Sequence, residues 1–163
     1  MEPKIGLLMD LPDDKLPGLF AQIDKALAGK ADVFDRDKEM LIFSQEAQKL
    51  AALTVMAELN IETDPMALRL LPNNAELTDL FSDYGFTSRI ENNYLYDKLV
   101  VSFRFTTDSP QAEVDQAALQ IEEHLLALYK DSQDREVFVV DRQLEELMKG
   151  IAKAYRCRIE ILA

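Results

Sequence analysis

Strand-like and helix-like spacings of apolar residues alternate along this chain in short segments, each of which depends on its neighbours for burial. Alternation by two places Leu99, Val101, Phe103 and Phe105 on one side of a strand and Ser102 and Arg104 on the other, nearer solvent. Spacings of three and four gather Leu16, Leu19, Phe20, Ile23 and Leu27 on one face of a helix. The interleaving predicts an α+β fold: a mixed, largely antiparallel sheet covered by four or five helices.

The individual elements follow from the same spacings and from their punctuation. KIGLLMDL, residues 4–11, reads as the first strand. The helix after it takes Asp13 or Asp14 as cap, has Pro17 in its first turn and ends at Gly29. Residues 32–44 read as two strands around an Arg36-Asp37 turn, and residues 45–60 as a buried helix with Ser44 as N-cap. IETDP is expected to be a loop and MALRLL a strand ended by Pro72. Asn73-Asn74 would cap a helix from Ala75 to Tyr84, closed by Gly85 in the left-handed conformation. A hairpin follows, its turn near Glu91-Asn92-Asn93. A long helix is expected over residues 109–130, with Ser109 as cap, Pro110 first and Glu113 as the capping-box acid. Val114, Ala118, Ile121, Leu125 and Leu128 make its stripe. EVFVV, residues 136–140, is a continuous apolar run and so a central strand; residues 141–156 form another helix with Leu144, Leu147, Met148 and Ile151 inward. In the terminal strand Cys157, Ile159 and Ile161 share one face, and Arg158 and Glu160 the other.

The resulting order is β-α-β-β-α-β-α-β-β-α-β-α-β. It fits a single α+β domain over residues 1–163, or two ferredoxin-like halves at about residues 1–72 and 66–163 with one strand counted in both. The halves share no repeated sequence words.

Composition narrows the classes of partner. Thirty acidic against 18 basic residues give a net charge of −12, which opposes direct nucleic-acid binding through a phosphate-gripping surface. The acids are scattered, as on a solvated surface; gathered on one face, they would make an acidic nucleic-acid mimic. One cysteine and one histidine exclude an intramolecular disulfide and a Cys/His zinc site within one chain. The start, MEPKIGLLMDLPDD, lacks the pattern of a signal peptide, and no apolar run has the length of a membrane span. A cytoplasmic protein without a membrane partner is expected.

Reactive constellations are sparse. The five glycines, at 6, 18, 29, 85 and 150, form neither a Walker nor a Rossmann loop, and no GxSxG elbow occurs. Asp10, Asp13 and Asp14 suit a helix start better than a metal site, and no metal is expected. His124 lies at the margin of a helical stripe, as a boundary residue rather than a general base. Cys157 reads as a small core residue, although Arg156 and Arg158 would activate its thiol if it were exposed. Tyr94 and Tyr96 share a strand face and, with Arg89 and Arg104, either line a groove or are half-buried strand aromatics.

One stretch carries a family resemblance. In LRLLPNNAELTDLFSDYGF and the following YLYDKLVV, Asn74, Leu80-Phe81, Gly85-Phe86, Tyr94, Asp97 and Leu99 stand in an order that resembles the C-terminal half of the GNAT superfamily of acyl-CoA-dependent acyltransferases. The resemblance covers about residues 45–103. It implies a cleft beside Asn74, acetyl-CoA as cofactor, and Asn74, Tyr94 and Tyr96 as cofactor-binding residues. The chain departs from that family in FSQEAQKLA, which has no glycine and carries Glu46 where the pyrophosphate would lie, and in Phe81 at the position of the tyrosine general acid. The leading functional expectation is therefore a small non-catalytic binding or regulatory module without a cofactor. It acts through protein–protein contacts, with a protein partner or another copy of itself. The strand bearing Cys157 is one candidate edge for such contact. The alternatives are a divergent acyltransferase and the acidic mimic.

Overall fold

Glu2–Asp10 (β1) and Glu62–Leu70 (β4) are nine-residue strands that pair antiparallel along their whole length, from Glu2 opposite Leu70 to Asp10 opposite Glu62. The computed structural model in which they lie describes residues 1–12, 18–106 and 109–163. Asp13, Asp14, Leu16 and Pro17, expected to begin the first helix, lie outside the described residues. The chain is α+β: its two sheets are antiparallel, and the described residues include four α-helices. It divides into two units, Met1–Leu70 with Thr87–Tyr94, and Leu71–Phe86 with Leu95–Ala163.

In the first unit β1 is followed by α1 (Leu19–Leu27), β2 (Asp35–Asp37), β3 (Met40–Phe43), α2 (Glu46–Glu58) and β4. Their order across the sheet is β2-β3-β1-β4, the connectivity of a split β-α-β motif. Leu7, Met9, Leu41 and Phe43 from the strands meet Ile23, Leu27, Ala52, Val55 and Met56 from the helices in one core. On the opposite side of β1 a Cβ at Gly6 would lie 2.9 Å from both Leu68 Cδ1 and Met40 Sδ, so neighbouring side chains close over a position that has none.

The second unit repeats the connectivity. The strand β5 (Glu76–Leu77) comes first, and β6 (Gly85–Thr87) and β7 (Asn93–Tyr96) each contribute residues to both units. Then β8 (Val100–Phe105), α3 (Val114–Ile121), β9 (Ala127–Lys130), β10 (Glu136–Asp141), α4 (Glu145–Ala154) and β11 (Ile159–Ile161) build a sheet in the order β11-β8-β10-β9-β5. The apolar run EVFVV is the middle strand of these five, as its continuity predicts. Val101, Phe103, Phe138 and Val140 pack against Ala117, Ile121, Met148, Ile151 and Ala152, and Phe103 stacks on Phe138 with centroids 5.5 Å apart.

Several expected elements are different. Residues 75–84 are not a helix: Glu76 and Leu77 pair with Leu128 and Ala127 of β9, and only Phe81–Asp83 make a 3-10 turn. Thr78 donates its amide to the Leu126 carbonyl and its hydroxyl to the Leu125 carbonyl at 2.5 Å, so tertiary partners replace the helical ones. The long helix starts at Val114 with Glu113 as its N-cap and stops at Ile121; LLALYK, which also fits strand spacing, turns back to place β9 beside β10. Glu62–Pro65, expected in a loop, extends β4 because β1 is long enough to pair with it. Gln45, not Ser44, holds the N-cap of α2, and the Ser44 hydroxyl instead accepts from Lys4 Nζ at 2.9 Å. The turn between β2 and β3 falls at Lys38-Glu39, with Lys38 at φ 52°, two residues past Arg36-Asp37. Ser102 is buried rather than near solvent, since β8 has neighbours on both sides and Ser102 stands opposite Val139.

Phe103→Ala removes a fully buried ring that touches two others, Phe105 and Phe138. It is expected to destabilise the chain by about 3–5 kcal/mol, read as a lower urea midpoint at unchanged slope.

Candidate functional site

A short strand of charged residues, Asp35-Arg36-Asp37, forms one end of the first sheet as β2. Asp35 is nevertheless buried, with 8% of its surface exposed. No cation meets its carboxylate among the described residues; neutral donors do. The Tyr94 hydroxyl donates to Oδ2 at 2.7 Å, Asn92 Nδ2 donates to the same oxygen at 3.1 Å, and the Arg36 amide donates to Oδ1 at 2.7 Å. Burial by itself would raise the pKa of Asp35. Hydrogen bonds from the side chains of Ser88, Tyr94 and Asn92 and from the Arg36 amide outweigh it and hold the carboxyl below the ordinary carboxylate range. Tyr94, fully buried, is displaced upward by its burial and then by the bond and charge of Asp35, so its hydroxyl remains a donor.

These bonds tie β2 to the hairpin between β6 and β7. The hairpin is closed by Ser88 N–H to the Asn92 carbonyl at 2.8 Å, by Glu91 N–H to the Ser88 carbonyl at 2.9 Å, and by a Thr87–Asn93 side-chain bond at 2.6 Å. Its turn uses Glu91 in the left-handed conformation, φ 66°, one residue before the asparagines that would suit it best.

Between β2 and the hairpin lies a cleft of about 770 Å³, lined by Phe20, Asp35, Arg36, Asp37, Lys38 and residues 87–90. Arg36 grips Asp24 of α1 with two bonds, Nη2–Oδ1 at 2.6 Å and Nη1–Oδ2 at 3.2 Å, and its guanidinium lies 5.9 Å from the Phe20 ring. Ile90, at the hairpin tip, is 67% exposed. No histidine or cysteine lines the cleft. Its buried carboxylate is ionised and saturated with neutral donors, so it is poised neither to give nor to take a proton near neutral pH. The arrangement is suited to holding a ligand by shape, apolar contact and charge.

The residues singled out from sequence occupy other settings. Asn74 is exposed and ends no helix; its Nδ2 donates to the Lys130 carbonyl at 3.3 Å, fastening the turn after β4 to β9. Tyr94 belongs to the first unit and Tyr96 to the second, where its ring lies 5.8 Å from Phe86. Arg89 lines the cleft, whereas Arg104 pairs with Glu160 at 3.0 Å and Asp131 at 3.6 Å on the second sheet. His124 is half-buried at the end of a 3-10 turn, 3.3 Å from Glu123. Cys157 is buried, its Sγ donating to the Tyr155 carbonyl at 3.3 Å. Asp10 lies with Glu39, Glu62 and Asp64 around a recess of about 350 Å³, and no metal-binding group of three or more ligands occurs among the described residues. Asp35, Ser88 and Asn92 were not legible as a site: an acid on a strand between charged neighbours looks solvated until its tertiary donors are known.

Asp35→Ala leaves the buried Tyr94 hydroxyl without this acceptor and is expected to cost about 1–3 kcal/mol; Tyr94→Phe, which keeps the ring, is expected to cost about 0.5–1.5 kcal/mol. Because the folded pKa of Asp35 is depressed, its contribution is present above the unfolded value of about 3.9 and fades as pH falls through the lower folded value. Urea unfolding from pH 7 into that acid range should show this loss in the wild type, and Asp35→Asn should flatten it. Compared with protein families, curated proteins and solved structures, the chain matches none.

Proposed function

We propose that this chain is a non-catalytic binding module whose first unit receives a segment of a partner protein in the cleft between β2 and the hairpin. The observation that carries the reading is the Asp35 hub, which fixes the two walls against each other while leaving Ile90 exposed between charged side chains. A preformed cleft with an apolar contact and a polar rim has the anatomy of a recognition site, because its ordering cost is met in the free protein.

The sheet edges support recognition by side chains rather than by strand addition. The end strands β2, β6 and β11 have three residues each and β5 has two, and β2 carries a charge at every position. Short, charged edges resist pairing with foreign strands. β11, the edge that follows Cys157, is as short and carries one charge, Glu160.

Selection of a displayed random-peptide library against the immobilised protein tests the reading. Selected peptides should bind wild type and lose at least about tenfold in affinity with Ile90→Asp, whose exposed site should leave the melting temperature unchanged. Failure to enrich any peptide, or binding indifferent to Ile90→Asp, would overturn it.

A further inference from the structure

The charges of the cleft run against those of the chain. Acidic residues outnumber basic ones 30 to 18 overall, yet Arg36, Lys38 and Arg89 line the cleft against Asp35 and Asp37. Two of these five are already committed. Arg36 is held by Asp24 at 2.6 and 3.2 Å, and Asp35 is turned into its cage of neutral donors. Lys38 and Arg89 remain, with Asp37 as the one carboxylate left beside them. Among the described residues neither cation has a carboxylate partner, although Arg104, Arg135 and Lys149 each find one.

Their placement is equally specific. Lys38 occupies the left-handed position of the β2–β3 turn, on one wall. Arg89 follows the buried Ser88 in the hairpin, on the other wall, with Ile90 next to it. The Asp35 bonds to Tyr94 and Asn92 set the two walls relative to each other, and both cations are exposed. An arginine and a lysine that line one cleft can together bind an anionic oxygen group with charge-assisted hydrogen bonds.

We infer that the cleft recognises a carboxylate side chain, Asp or Glu, on a segment of the partner protein, held between Lys38 and Arg89 while an adjacent apolar side chain of that segment covers Ile90. The inference rests on the binding reading above and names the chemistry of its ligand.

The test is an amide NMR titration of the full chain with three synthetic peptide pools. The pools are identical except for a central Glu, Gln or Lys, each flanked by Leu and by randomised positions. The Glu pool should shift the Lys38, Arg89 and Ile90 signals and bind at least about tenfold more tightly than the Lys pool. That preference should shrink on raising salt from about 0.05 to about 0.5 M and vanish in the exposed-site double variant Lys38→Gln/Arg89→Gln. Equal binding of the Gln or Lys pool at the same signals would overturn the carboxylate assignment and leave the cleft a binding site. Absence of any shift at these signals with all three pools would overturn both readings.

Discussion

A carboxylate buried among neutral donors is the constraint on which the geometry of the first unit's cleft depends. Asp35 cannot leave its hydrogen bonds without stranding either its own charge or the hydroxyl of Tyr94, which is fully buried. It reaches Asn92 and Tyr94, 57 and 59 residues away along the chain, and so joins the edge of the sheet to a hairpin formed much later in sequence. Two of its donors have another duty as well: Asn92 and Ser88 also close the hairpin.

The two units, each taken by itself, solve the same packing problem in the same way. Each runs β-α-β-β-α-β, with the strand that follows its first helix beside the strand that comes next in sequence, and each buries the helices against alternate residues of the inner strands. The solutions differ in substance. The first core is aliphatic and methionine-rich around Phe43, while the second is organised by Phe103, Phe105 and Phe138, in stacked and edge-on pairs. Similar connectivity with dissimilar cores explains why no repeated words appear in the sequence: the pattern of apolar positions is shared, and the side chains that satisfy it are not.

What could be read in advance was what depends on near neighbours in sequence. The α+β class, α2, the hairpin turn around residue 91, the central strand EVFVV and the burial of Cys157 follow from spacing and punctuation. What failed was decided by partners far away. NNAELTDLFSDYG carries helix caps and a left-handed exit, but Leu77 pairs with Ala127 of β9 and Thr78 bonds to Leu125 and Leu126 just before it, about 50 residues on. LLALYK fits both a helix and a strand, and only the availability of β10 chooses between them. Asn74, expected as a helix cap, instead donates to the Lys130 carbonyl of the same strand.

The sequence by itself determined the class of fold, the net acidity and the lack of a glycine-rich phosphate loop, because these are properties of composition and of local period. Only the tertiary structure decided that Asp35 would be buried, that Tyr94 would be its donor, and that Lys38 and Arg89 would line the same cleft. The physical reason is that a hydrogen bond or a charge pair is set by distance in space. The chain brings Asp35 to Tyr94 through the pairing of whole strands, not through any feature of either residue.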